Sequence, residues 1–222
     1  MIFEVAHIYH IYNQGNNKQK IFFRRENYLY FLNKTHEYII PYGDVLAWSL
    51  MPNHFHFMVY VHTLEIPIHN NEGNNSEAFT SCDCGNSEAF TSSEGFTKSR
   101  TINNSIGLLL RSYTRAINKQ EEISGSLFRN PTKAENITKV EGVTPSFLNT
   151  TLGTIINVQI PEKQYPQVCF HYIHNNPVKA NLVNKPEDWE FSSYRDYCGL
   201  RNGKLANKYK AEELGLSWII GD

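Results

Sequence analysis

The chain has 222 residues, of which 41% are hydrophobic and 13% aromatic, with a formal net charge of −1. That length supports one domain with a substantial core, or one domain carrying insertions, and the apolar run from Phe55 to Val61 is too short to span a bilayer. Four cysteines, two of them in Cys82-Asp83-Cys84 within a polar stretch, do not make a disulfide framework, and a lone C-x-C falls short of a zinc site.

Taken in chain order, the N-terminal residues include Glu4 and no basic, apolar leader pattern, so a cytoplasmic location is expected. Phe3 to Asn13 alternates with apolar or aromatic residues at both parities and reads as a strand, ended by Gly15-Asn16-Asn17. From Arg24 to Ile40, Tyr28, Leu29, Leu32, His36 and Ile39 fit a helical stripe that Pro41 and Gly43 stop. Val45 to Leu50 is a second strand, and a tight Met-Pro-Asn connection leads into a third, HFHFMVYV, to form a hairpin.

Residues 70–99 differ in kind. The heptapeptide Asn75-Ser-Glu-Ala-Phe-Thr-Ser81 recurs unchanged at Asn86 to Ser92, with a degenerate copy at Ser93 to Ser99. A few short polar copies cannot stack into a solenoid, so this stretch is expected to be a disordered loop expanded by duplication. Its five acidic residues against Lys98 give it −4 and leave the rest of the chain at +3. Beyond it, Ile106, Leu109, Leu110, Tyr113 and Ile117 predict a helix over 102–118, and Gly125 to Phe128 reads as the start of another strand. The order β-α-β-β-α-β predicts an α/β (α+β) fold, the ferredoxin-like sheet with both helices on one face. Residues 130–161 are expected to hold a second irregular insertion, and a last helix is predicted from Lys163 to Asn175. Cys169 and Cys198 are expected to be buried thiols.

Within the third strand, alternation puts His54 and His56 on one face and turns Phe55 into the core. Two imidazoles on one face are half of a divalent metal site. Paired core histidines are the alternative for an isolated H-x-H. Far down the chain, Tyr172 and Asn176 in YIHNNP are four residues apart, one turn along one helix face. A tyrosine can attack a phosphodiester if a metal polarises it, and an asparagine oxygen can complete a His-His-Asn set suited to Mg²⁺ or Mn²⁺. Proline disfavours helical backbone in the residue before it, which places Asn176 at a frayed helix end. Tyr165, Tyr194 and Tyr197 are rival tyrosines, but none has an amide four residues on followed by proline. His174 reads as structural or DNA-facing, and His7 and His10 as sheet residues.

Together MPNHFHFMVYV and YIHNNPVKANLV resemble the single-tyrosine HUH transposases, the insertion-sequence-200-like family, and most closely the REP-associated tyrosine transposase branch. The Tyr12 to Gly15 strand exit, the SLFR at Ser126 to Arg129 and PEDWEFSSYRDY from Pro186 share in the resemblance. It implies a single domain over residues 1–222 whose C-terminal helix is catalytic. It also implies that His54, His56 and Asn176 hold a divalent metal and that Tyr172 is the nucleophile of a single-strand DNA endonuclease and strand transferase. The expected partner is single-stranded or hairpin DNA, with no membrane, for a monomer or for a homodimer that exchanges the tyrosine helix. Arg24 and Arg25, in a basic group with Lys18 and Lys20, are candidate phosphate contacts, as are Arg111, Arg115 and Lys119, which recur every four residues. A solvated helix face is the plain alternative for that stripe. Two other functional readings are a domesticated protein that grips structured repeats without cleaving, and a replication or plasmid-mobilisation nuclease.

Overall fold

The computed structural model describes residues 1–68, 98–138, 147–150, 153–156 and 161–217. The repeat-bearing residues 69–97 therefore lie outside the described residues. The elements are β1 (Ile8–Gln14), α1 (Arg25–Tyr38), β2 (Gly43–Met51), β3 (His54–Val61), β4 (Glu65–Pro67), β5 (Ser99–Thr101), α2 (Ile102–Gln120), β6 (Lys133–Asn136), β7 (Phe147–Thr150), β8 (Gly153–Ile156), α3 (Pro161–Lys179), α4 (Tyr194–Tyr197) and α5 (Lys208–Glu213). The central sheet runs β2-β3-β1-β6 with every pairing antiparallel. That is the ferredoxin-like order, with β6 as its fourth strand. Two small hairpins, β4-β5 and β7-β8, stand apart from it.

The fourth strand is not where the sequence pattern puts it. Phe128 makes only an isolated bridge to Gly15, and the paired strand begins at Lys133, inside the stretch expected to be irregular. Lys133 to Asn136 alternates between exposed and half-buried residues without the apolar signature of a central strand, because it lies at the sheet edge. The first strand starts later than expected, at Ile8, after Ala6 takes a positive φ of 63°.

Period-two alternation divides the chain into two cores. Phe55, Phe57, Val59 and Val61 of β3, with Tyr9 and Ile11 of β1, pack against Phe31 of α1 and Ile106, Leu109 and Tyr113 of α2. Met58 of β3 and Ile8 of β1 instead face Phe170 and Ile173 of α3 and Ala211 of α5. In β2 a bulge between Val45 and Ala47 turns two successive residues, Leu46 and Ala47, toward α3. Helices thus cover both sheet faces, α1 and α2 on one and α3 on the other.

Residues 191–193 line the outer edge of β2. Leu50 N–H donates to the Phe191 carbonyl (2.9 Å), Ser193 N–H to the Trp48 carbonyl (2.9 Å), and Trp48 N–H to Ser193 Oγ (2.8 Å). Nε2 of the fully buried His174 meets the same hydroxyl at 2.8 Å, which fastens α3 to the edge of β2. Its role is structural and it does not face DNA. Cys169 is buried as expected, whereas Cys198 is exposed because it follows the short α4 at the surface. Among the described residues no helix is long and apolar enough to cross a membrane.

Desolvation holds the His174 imidazole neutral in the folded chain, its pKa pushed down to about 3. The unfolded chain protonates near the ordinary histidine value, so this contribution is complete above about pH 6.5 and declines as pH falls toward the folded value. By pH 5 the loss should be about 2 kcal/mol. Thermal unfolding followed by calorimetry should show that decline, and His174→Gln, which keeps a hydrogen-bonding partner for Ser193, should flatten it by about that amount.

Candidate active site

The face of β1 and β3 that turns toward α3 carries more than apolar side chains. On β3 it presents His54 and His56, and on β1 His10, Tyr12 and Gln14, with Tyr12 opposite His56 and Gln14 opposite His54. The two-residue Pro52-Asn53 connection joins Met51 to His54, so the first histidine opens its strand at the turn. Gly15 closes the neighbouring strand end: its N–H donates to the Asn53 carbonyl (2.8 Å), and a Cβ there would lie 2.3 Å from the Gln19 carbonyl oxygen. No side chain fits at that position.

Helix α3 brings Tyr172 and Asn176 down onto this face. It does not end at Asn175 as expected but runs through Asn176 and Pro177 to Lys179. Burial of Phe170 and Ile173 and the tie from His174 to Ser193 hold this part of the helix against the sheet, and its end is closed by the Ala180 N–H donating to the Asn176 carbonyl (2.9 Å). Asn176 therefore sits in regular helix, one turn from Tyr172, and is only 7% exposed.

The four residues expected to form a site do meet, within a single chain. Asn176 Nδ2–H donates to His56 Nε2 at 3.0 Å. Asn176 also favours the protonated form of the nearby His54 ring, an influence that desolvation outweighs. The Tyr172 ring stands edge-on to His56, centroids 5.5 Å apart. Tyr172 is 39% exposed and lines a cavity of about 290 Å³ with Tyr12, His54, His56, Arg129 and Lys133. The rival tyrosines are differently placed: Tyr197 donates its hydroxyl to the Leu46 carbonyl (2.5 Å), Tyr194 is buried, and Tyr165 packs at the α3 core.

Further residues complete the surroundings. Asn53 Oδ1 lies 2.6 Å from His54 Nδ1, and His10 Nε2 lies 2.9 Å from His56 Nδ1. His10 is 7% exposed, meets His56 edge to edge through that contact and stacks on Tyr12, whose hydroxyl donates to Glu135. The Lys179 ammonium stands 5.1 Å from the centre of the Tyr172 ring. His10 is a sheet residue, as expected, but it belongs to the site. It shares the parity of Tyr12 on β1, which would have marked it only once β1 was known to lie beside β3.

Burial keeps the imidazoles neutral. Desolvation lowers the pKa of His54, drives that of His56 well below the ordinary value, and brings His10 to about 4 despite the opposing pull of Glu135. Neutral imidazoles are the form that binds metal. With Nδ1–H donated to Asn53 Oδ1, a neutral His54 keeps its lone pair at Nε2. Two neutral imidazoles with an amide beside them are a donor set of a kind that fits a divalent metal. Among the described residues no group of three His, Cys, Asp or Glu side chains is placed to hold one, so a metal here would take its third ligand from the amide.

The basic candidates divide. Arg111 and Arg115 line a groove of about 510 Å³ between α2 and residues 126–132, and Asn13 and Arg129 border both this groove and the site cavity. Lys119 is exposed farther along α2, away from the groove wall. Arg24 pairs with Glu121 at 3.6 Å, and Arg25 with Glu190 at 2.6 Å. Nothing in the sequence pattern singles out Arg129 and Lys133, which line the site cavity, because their neighbourhood depends on the placement of β6.

No family model matches the chain, and no curated protein matches it in sequence. Among solved structures it is similar to one of a REP-associated tyrosine transposase bound to a REP hairpin, at 13% identity and a TM-score of 0.49, over 100% of this chain and 92% of that one. The strand order above stands on this chain's own hydrogen bonding.

A packing role for Tyr172 predicts a stability cost on removal of its hydroxyl, whereas a half-exposed cavity position does not. Tyr172→Phe should leave the unfolding free energy within about 0.5 kcal/mol. Phe170→Ala, two residues away in the core, should cost about 3–5 kcal/mol by denaturant unfolding.

Proposed function

We propose that this protein is a transposase-like, metal-dependent endonuclease and strand transferase acting on single-stranded or hairpin-flanked DNA through Tyr172. The observation that carries this reading is the convergence, from opposite ends of the chain, of a half-exposed tyrosine, two neutral histidines and a buried asparagine at one cavity edged by Arg129 and Lys133. His54, His56 and Asn176 would hold Mg²⁺ or Mn²⁺. When bound, the metal supplies Lewis-acid polarisation of the scissile phosphate.

The chain's own groups account for the rest. Tyr172 Oη forms a bond to phosphorus as the bond to the 3′-oxygen breaks. The phenolic proton passes to solvent, and the departing 3′-oxygen takes up a proton to leave as a hydroxyl. The strand stays attached through a 5′-phosphotyrosine until a 3′-hydroxyl attacks the same phosphorus and restores the tyrosine, so the chemistry joins as well as cuts. Lys179, beside the Tyr172 ring, and Lys133, whose ammonium lies 5.7 Å from the centre of the Tyr12 ring, supply positive charge where a phosphate approaches. From Arg129 the strand continues along the adjoining groove to Arg111 and Arg115, which contact phosphates without reading sequence. Arg24, Arg25 and Lys119 extend that positive surface, the two former after exchange from their exposed carboxylate partners, pairs of a kind worth little in water.

Incubation of the protein with Mn²⁺ and hairpin oligonucleotides carrying single-stranded flanks should give a covalent adduct on a denaturing gel. Tyr172→Phe should abolish it while DNA binding persists. His54→Ala and His56→Ala should reduce it by about a hundredfold or more, the scale already reached by changes one layer beyond metal ligands. If the wild-type protein binds the oligonucleotides and never forms the adduct, the enzyme reading fails and a repeat-binding protein remains.

The strand path has its own check. Arg111→Gln and Arg115→Gln should each weaken single-strand binding and reduce the slope of log affinity against log salt by about 0.7, measured by fluorescence anisotropy across a salt series. An unchanged slope would remove the groove from the path.

A further inference from the structure

His56 has two ring nitrogens, and the site can use it only if the correct one carries the proton. Asn176 meets His56 Nε2 through Nδ2, which can only donate, so Nε2 is the acceptor. A neutral His56 then carries its proton on Nδ1, in a position only 5% exposed, where an N–H needs an acceptor. His10 Nε2, at 2.9 Å, is that acceptor.

We propose that His10 is a positioning residue that locks His56 in the Nδ1–H tautomer and thereby aims the Nε2 lone pair at Asn176 and the cavity beside Tyr172. The neighbouring geometry suits the task. His10 lies nearly parallel to His56, at 21° with centroids 5.0 Å apart, and stacks on Tyr12 at 4.7 Å, while Tyr12 also lies 5.8 Å from His56, so the three rings brace one another. His54 is held in the same sense by a different partner, with its Nδ1 turned to Asn53 Oδ1. Both imidazoles thus turn Nδ1 away from the site, one toward the Pro-Asn turn and one toward the neighbouring strand. An outer partner that fixes tautomer and ring angle is a recurrent need of histidines that bind metal. A neutral imidazole in that place, where a carboxylate is common, adds no negative charge beside a site meant for phosphate.

The tautomer assignment rests on hydrogen-bond geometry alone, and its consequence for metal affinity rests on the function proposed above. The test separates them. Long-range proton–nitrogen NMR spectra of the metal-free protein should show His56 protonated at Nδ1 and unprotonated at Nε2, and a wild-type spectrum with the reverse pattern overturns the proposal outright. His10→Gln offers an amide oxygen in place of Nε2 and should keep the pattern, while His10→Phe should lose it. In a Mn²⁺ titration followed by electron paramagnetic resonance, His10→Gln should bind within about threefold of wild type and His10→Phe about 10–100-fold more weakly. A His10→Phe protein that retains both the Nδ1–H tautomer and wild-type Mn²⁺ affinity overturns the role of His10. Wild-type protein with the expected tautomer but no Mn²⁺ binding overturns the metal reading and supports the tautomer assignment.

Discussion

The alternation of β1 and β3 is the constraint on which the rest of the molecule depends. Successive side chains of a strand point to opposite faces, so the same eight residues of β3 deliver Phe55, Phe57, Val59 and Val61 to one core and His54, His56 and Met58 to the other face. A slip of one residue would bury the imidazoles among phenylalanines and turn the phenylalanines toward α3. Register is therefore fixed by the phenylalanine face, where Phe31 and Tyr113 meet the sheet. The site gains a rigid floor from packing it takes no part in.

A floor alone would leave Tyr172 and Asn176 unplaced, since they belong to a helix far along the chain. Phe170 and Ile173 bury one face of α3 against Leu46 and Met58, and the His174–Ser193 contact fixes the helix laterally. Ser193 is itself held by both backbone groups of Trp48. The segment that shields the open edge of β2 is thus also the anchor of α3, so two demands, covering a strand edge and setting a tyrosine, are met by the same hydroxyl.

How much of this could be read from residue order follows from how local each signal is. Alternation in HFHFMVYV and the four-residue step from Tyr172 to Asn176 are local patterns, and they place those side chains correctly on strand and helix. The ferredoxin-like order was legible for the same reason, because α1, α2 and the hairpin each have clear periodicity. The strand at Lys133 was not, since an edge strand needs no apolar face and KAEN has none. Nor was the participation of His10, which depends on β1 lying beside β3 with Tyr12 opposite His56, a pairing that spans more than forty residues. The persistence of helix through Asn176 and Pro177 likewise comes from tertiary contacts that override a local preference.

The distribution of charge resolves an apparent conflict between a near-neutral chain and the polyanionic substrate proposed for it. Five acidic residues lie in the repeat-bearing stretch, whereas Arg129 and Lys133 edge the site and Arg111 and Arg115 the adjoining groove. Glu135, whose charge reaches His10, is held at the rim by the Tyr12 hydroxyl. Screening confines each exposed charge to its own surroundings, roughly 8–10 Å at physiological ionic strength, so a strand in the groove responds to local cations more than to the total. What the interior must supply is therefore small: two neutral imidazoles, one amide and a phenol within reach of solvent. Burial keeps the imidazoles uncharged, while the partial exposure of Tyr172 leaves its ring at the open side of the cavity, where the proposed phosphate would arrive from solvent.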